Sequence, residues 1–176
     1  MPRRTDSAPS LGEWACLGVL YQTPAHGFAV AARLKPGGNI GRVWSVSRAL
    51  TYRALDQLIA LGFSEEHAVE RGIAGGDRTV LRATRSGRAA FRQWIATPVA
   101  HLRDVRSELL LKIVLAEQCG IDIADMLVEQ RRQVAAMHAT LSAQAADSDD
   151  VIAVWRRESA SAALSFLDIV IDTRNR

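Results

Sequence analysis

The stretch that decides the reading is Ser45-Val46-Ser47-Arg48-Ala49-Leu50-Thr51-Tyr52-Arg53-Ala54-Leu55-Asp56-Gln57-Leu58-Ile59-Ala60-Leu61-Gly62. Leu50, Ala54, Leu58 and Leu61 recur at helical spacing, which predicts a helix with one apolar face. Ser45 or Ser47 can cap its start, and Gly62 stands where a left-handed stop is expected. Opposite the apolar face come Ser47, Arg48, Thr51, Tyr52 and Arg53. The first carboxylate, Asp56, follows a turn later.

Upstream, Leu11, Trp14, Ala15, Leu17, Gly18 and Tyr21 predict a helix over 11–22 with Ser10 as its cap, ended by Thr23-Pro24. A shorter helix fits 27–34, burying Phe28, Ala31 and Val30, before the break at Lys35-Pro36-Gly37-Gly38-Asn39. Downstream, the period changes from helical to strand-like. Residues 66–71 and 78–84 flank the turn-rich Gly72-Ile73-Ala74-Gly75-Gly76-Asp77 and predict a β-hairpin. A fourth helix over 86–96, stopped by Pro98, is followed by helical stretches over 106–117, 122–144 and 151–172, with Asp147-Ser148-Asp149-Asp150 as a polar break.

Three helices and then a hairpin outline a winged helix-turn-helix. The expected fold is therefore mainly α with a small β component: a flexible arm over 1–10, a winged helix-turn-helix domain over 11–97 and an α-helical dimerisation domain over 98–176. Val151, Ile152, Val154, Trp155, Phe166, Leu167, Ile169 and Val170 lie on more than one face of the last helix, and Leu109–Leu115 is apolar all round. Helices of that kind need partners within the domain or in a second copy, so a homodimer is expected.

Composition excludes several classes. Of 176 residues, 48% are apolar and 23% charged, the balance of a globular chain rather than a disordered one. No run reaches the ~20 apolar residues of a membrane span, the first ten residues lack the apolar core of a secretory signal, and two distant cysteines make no disulfide framework. Together these point to a cytoplasmic protein without a membrane partner.

The net charge of +3 conceals an asymmetry. Residues 1–96 hold 13 Lys and Arg against 7 Asp and Glu, a net of +6; residues 97–176 hold 9 against 12, a net of −3. A basic front half suits a polyanion. Winged modules place the third helix in the major groove and the hairpin along the backbone. Arg grips guanine with two hydrogen bonds, Thr offers a hydroxyl and a methyl, and Ser or Tyr holds phosphate. The candidate contacts to double-stranded DNA are therefore Ser45, Ser47, Arg48, Thr51, Tyr52 and Arg53 on the helix, with Arg71, Arg78 and Arg82 on the hairpin. The bland alternative is a solvated helix face beside a charged hairpin, in a winged helix used for protein–protein assembly without operator binding.

Leu17-Gly18-Val19-Leu20 with Thr23-Pro24-Ala25-His26-Gly27-Phe28-Ala29-Val30 resembles the opening of PadR-type transcriptional regulators. Trp44 to Leu58 is similar to that family's recognition helix, and Arg78-Thr79-Val80-Leu81-Arg82-Ala83-Thr84-Arg85-Ser86-Gly87-Arg88 to its wing strand and fourth helix. Glu108 to Lys112 and Gln130-Arg131 resemble the long members with a helical C-terminal domain. Thr51-Tyr52-Arg53 keeps the family's tyrosine but replaces its proline with arginine. The resemblance implies a homodimeric repressor on a palindromic operator, released by a small ligand. It also implies an aromatic or planar effector between tryptophans, for which Trp14, Trp94 and Trp155 are candidates beside ordinary core packing.

Nothing indicates an enzyme or a cofactor. The four histidines, His26, His67, His101 and His138, form no pair at metal-ligand spacing, so no metal site is expected. His26 reads as a cap or packing residue of the first turn, Cys16 as core, and Cys119 as an exposed thiol at a helix end. No nucleophile elbow, phosphate loop or paired-carboxylate motif occurs.

Overall fold

Ser10 opens the first helix with a reciprocal cap. Its hydroxyl accepts from the Glu13 backbone N–H at 3.4 Å, and the Glu13 carboxylate accepts from the Ser10 N–H at 2.9 Å. The computed structural model describes residues 8–71, 76–145 and 150–174. Most of the expected arm, the hairpin tip Gly72-Ile73-Ala74-Gly75 and most of the Asp147–Asp150 break lie outside the described residues. The helices are α1 Leu11–Gln22, α2 Gly27–Leu34, α3 Arg48–Ala60, α4 Arg85–Ala96, α5 Leu110–Cys119, α6 Ala124–Ala145 and α7 Val151–Arg174. The strands are β1 Ala25–His26, β2 Ser64–Arg71 and β3 Asp77–Ala83, forming an antiparallel sheet in the order β1-β3-β2. The architecture is a winged helix-turn-helix joined to a helical region.

The chain divides into two units. The first holds the described residues up to Ile95 together with Leu110–Ile121; the second holds Ala96–Leu109 and Asp122 onward. The stretch Leu110–Ile121, expected with the helical domain, thus belongs to the winged helix. Its burial there explains why. Leu111, Leu115 and Ala116 are fully buried, the Cys119 thiol donates to the Gly18 carbonyl at 3.6 Å, and Gln118 accepts from Gln22 and Arg33 at 3.3 and 2.7 Å.

In the first unit, Leu17 and Leu20 of α1, Val30 and Leu34 of α2, Leu58 of α3 and Phe91 of α4 form the core with α5. Arg88 ties α4 to the end of α1 by donating twice to the Tyr21 carbonyl, at 2.7 and 2.9 Å, with its guanidinium over the Tyr21 ring. Two expectations about this core are corrected. Phe28 is 54% exposed and Leu50 is 53% exposed. The buried face of α3 is instead Thr51, Ala54, Leu55 and Leu58. Thr51 can replace Leu50 because its hydroxyl donates to the Ser47 carbonyl at 3.0 Å, leaving only its methyl to pack.

The two-residue strand β1 was not expected from the sequence. Ala25 pairs with Leu81 and His26 with Val80, which pins the turn between α1 and α2 to the wing. In the second unit, α6 and α7 pack together through Leu127, Val134, Ala160 and Leu167, with an ion pair between Arg131 and Asp168. Gln130 is fully buried and satisfied at both ends: its carbonyl accepts from the Val99 N–H at 2.7 Å, and its amide donates to the Val99 carbonyl at 3.1 Å. That bidentate clasp holds the segment after Pro98 on α6. Among the described residues, no helix is long and apolar enough to cross a membrane.

Candidate nucleic-acid interface

Helix α3 begins cleanly. The Ser47 hydroxyl accepts from the Leu50 N–H at 3.3 Å, and Gly62, at a φ of +69°, provides the left-handed stop the sequence suggested. With Thr51, Ala54, Leu55 and Leu58 turned inward, a rotation of 100° per residue puts Ala49, Arg53, Asp56 and Ala60 on the outermost line. Arg48, Tyr52 and Ile59 lie on the flank facing the wing. Ser45, Ser47, Arg48, Tyr52 and Arg53 are all exposed, as expected of a contact surface, but Thr51 is not. Thr51 is therefore withdrawn from the candidate contacts: it is fully buried and its hydroxyl is spent on the helix.

The flank has an internal arrangement that the sequence did not reveal. The Arg48 guanidinium sits 5.4 Å from the centre of the Phe28 ring and 5.8 Å from that of Tyr52. The Tyr52 ring lies directly on Gly27, where a Cβ would stand 2.7 Å from a ring carbon, so position 27 admits only glycine without displacing the tyrosine. His26 prepares this surface. It caps α2 by accepting from the Ala29 N–H through Nδ1 at 3.1 Å, and its ring lies 6.3 Å from that of Phe28. Fixing the arginine between two rings restricts its rotamers before any ligand arrives.

Between this flank and the wing lies an open cavity of about 430 Å³. It is lined by Phe28 of α2, by Arg48, Tyr52 and Asp56 of α3, and by Glu66, Asp77 and Arg78 of the wing strands. Among the described residues, no carboxylate forms an ion pair with Arg48 or Arg53.

The wing differs from expectation in its charge. Arg71, Arg78 and Arg82 are exposed, yet each faces an acid across the ladder. Arg82 forms an ion pair with Glu65 at 2.8 Å, Glu70 lies opposite Arg78, and Asp77 lies opposite Arg71. The strands β2 and β3 carry Glu65, Glu66, Glu70 and Asp77 against those three arginines, so they are not a basic ribbon. The acids and arginines of both strands are plain in the sequence, but register was needed to set them opposite one another.

No family model matches the sequence. No curated protein matches it. A solved structure does align: Bacillus subtilis PadR in complex with operator DNA, at 17% identity and a TM-score of 0.49, over 93% of this chain and 99% of that one. A likeness of that size adds nothing to the geometry itself.

Trp14 and Trp94 belong to the first unit. Trp14 and Trp94 stack on each other at 5.0 Å and 8°, Trp14 also stacks toward Phe63 at 6.4 Å, and the Lys112 ammonium lies 5.1 Å over Trp94. Trp14 is buried, so the slot between it and Trp94 is already filled by the rings themselves. Trp155 belongs to the second unit and is 71% exposed. Cys16 is fully buried, and burial, with a smaller push from Glu13, raises its thiol pKa to about 12. Cys119 is half-buried, not exposed as expected, and desolvation raises its pKa against the opposing pull of Gln22, Arg33 and Arg88. Neither is poised as a reactive thiolate. Among the described residues no cluster of His, Cys, Asp or Glu could hold a metal ion.

Proposed function

We propose that the protein is a sequence-specific, double-stranded-DNA-binding transcriptional regulator that reads its site through α3. The observation that carries this reading is the exposed flank of that helix. Arg48 is held between two aromatic rings, Arg53 stands on the outermost line, and neither has a carboxylate partner among the described residues. Such arginines, in no ion pair among the described residues and presented at the start of a helix beside a wing, suit guanine edges and phosphates. The resemblance of residues 17–30 and 44–58 to PadR-type regulators points the same way and adds repression to the reading.

A second copy completes it. Val151, Ile152 and Trp155 at the start of α7 and Ile169 near its end are exposed. The face packed on α6 is a different one, formed by Ala160, Ala163 and Leu167. Exposed apolar side chains toward both ends of one helix suit pairing with its own copy. Two-fold pairing would present two α3 helices to half-sites ~34 Å apart on a palindrome. Trp155→Glu is expected to convert a dimer into a monomer in sedimentation equilibrium; a wild-type chain that sediments as a monomer at micromolar concentration would remove this part. A planar effector would compete with the second copy for the exposed Trp155 ring.

Selection of duplexes from a random library, followed by gel-shift titration at two salt concentrations, tests the central reading. An enriched duplex should bind ~10³-fold or more tighter than random DNA, and binding should weaken steeply with salt. The acids of the wing favour the other reading, a winged helix for protein assembly, and that reading predicts no enriched duplex at all.

A further inference from the structure

Among the described residues of the first unit, Phe28 is the most exposed aromatic side chain. It stands at the second residue of α2, more than half exposed, although the rest of that short helix turns Val30, Ala31 and Leu34 inward. Its neighbours are the elements already assigned to DNA: Arg48 over its ring and, beyond Arg48, Tyr52. The cavity it lines carries three carboxylates, Asp56, Glu66 and Asp77. Those acids would repel a phosphate entering that space. What can approach is an uncharged edge, apolar where it meets Phe28 and rich in acceptors where it meets Arg48.

The major groove offers such a pair of features on neighbouring bases. Guanine presents the N7 and O6 acceptors to an arginine fork, and thymine presents the only methyl group. We propose that Phe28 is a specificity-determining residue, packing on the 5-methyl group of a thymine next to the guanine gripped by Arg48. The proposal rests on the DNA-binding reading above and deepens it. Arg48 cannot leave the Phe28 ring without losing the contact that orients it, so the two residues read adjacent bases as one unit. The apolar exposure of Phe28, unfavourable in the free protein, is then relieved in the complex.

The test uses the full chain and the duplex enriched from the random library. Each thymine in turn is replaced by uracil, which removes only the methyl group. Wild type should lose about fourfold in affinity at one position in each half-site, the loss expected for one unburied methyl. Phe28→Ala should bind the thymine and uracil duplexes equally and still unfold in one cooperative transition, since the side chain is more than half exposed and outside the core. A measurement that needs no variant accompanies it: 5-iodouracil at the same position should photocross-link to Phe28, identified by mass spectrometry.

Enrichment of a duplex with no uracil-sensitive position overturns this proposal and leaves DNA binding intact. So does a thymine preference that survives in Phe28→Ala, or a cross-link to another residue. If no duplex is enriched, the DNA reading itself fails and this inference falls with it.

Discussion

Helix α3 and the wing carry arginines of the same chemistry in opposite surroundings. Arg48 and Arg53 have no carboxylate partner among the described residues, and Arg48 is held over aromatic faces. Arg71, Arg78 and Arg82 each look across a strand at an acid, and Arg82 is already ion-paired. A guanidinium spent on a neighbouring carboxylate must give up that bond before it can neutralise a phosphate. The comparison teaches that counting arginines overstates the wing and understates the helix, because strand register sets each wing arginine opposite an acid while Arg48 and Arg53 are in no ion pair among the described residues.

The sharpest way to break this comparison is Arg48→Ala. Loss of a bidentate contact should cost about 1–3 kcal/mol on the selected duplex and relax the preference at that position, while binding to random DNA changes little. Titration of both duplexes reads the difference; equal losses on the two would mean that Arg48 touches phosphate. A smaller effect is expected for Arg78→Ala. All duplexes should weaken alike, and the salt slope should flatten by about one unit or less, since Glu70 already faces this side chain. A larger loss than that of Arg48→Ala would invert the ranking.

Smallest of the three is Glu65→Gln, which frees Arg82 from its ion pair. Stability should move by no more than about 0.5 kcal/mol because the pair is half exposed. Affinity for every duplex should rise modestly, with a steeper salt dependence. Unchanged binding would place Arg82 away from the backbone. Thiol titration gives a check on the fold beneath these sites. Because its pKa is raised to about 12, Cys16 stays protonated and buried at neutral pH and should react with a thiol reagent only after unfolding.

Local signals made much of this fold legible. Ser10, Ser47 and Gly62 act over distances of a few residues, and the helices they bound fall where capping and stop chemistry put them. His26 likewise caps the short helix it precedes. The candidate interface was legible in part, since Arg48, Tyr52 and Arg53 are exposed on α3. Phe28, Leu50 and Thr51 were misread for one reason: an apolar period assigns the inside by residue type, whereas a threonine bonded to its own helix can be buried and a phenylalanine can be held outside by an arginine twenty residues away.

The sequence by itself determined where the first three helices start and stop, that a hairpin follows the third, and that positive charge gathers toward the front of the chain. Those depend on short-range hydrogen bonding and composition. The stretch expected as a helix over 106–117, by contrast, is regular α-helix over Leu110–Cys119. Only the tertiary structure decided which arginines are unopposed, because strand register sets Glu65 against Arg82 and Glu70 against Arg78. It also decided that α5 belongs with the winged helix, because burial of Leu111 and Leu115 needs surfaces from elements far away in the chain. A guanidinium's availability is a property of its neighbours in space, and no local pattern encodes it.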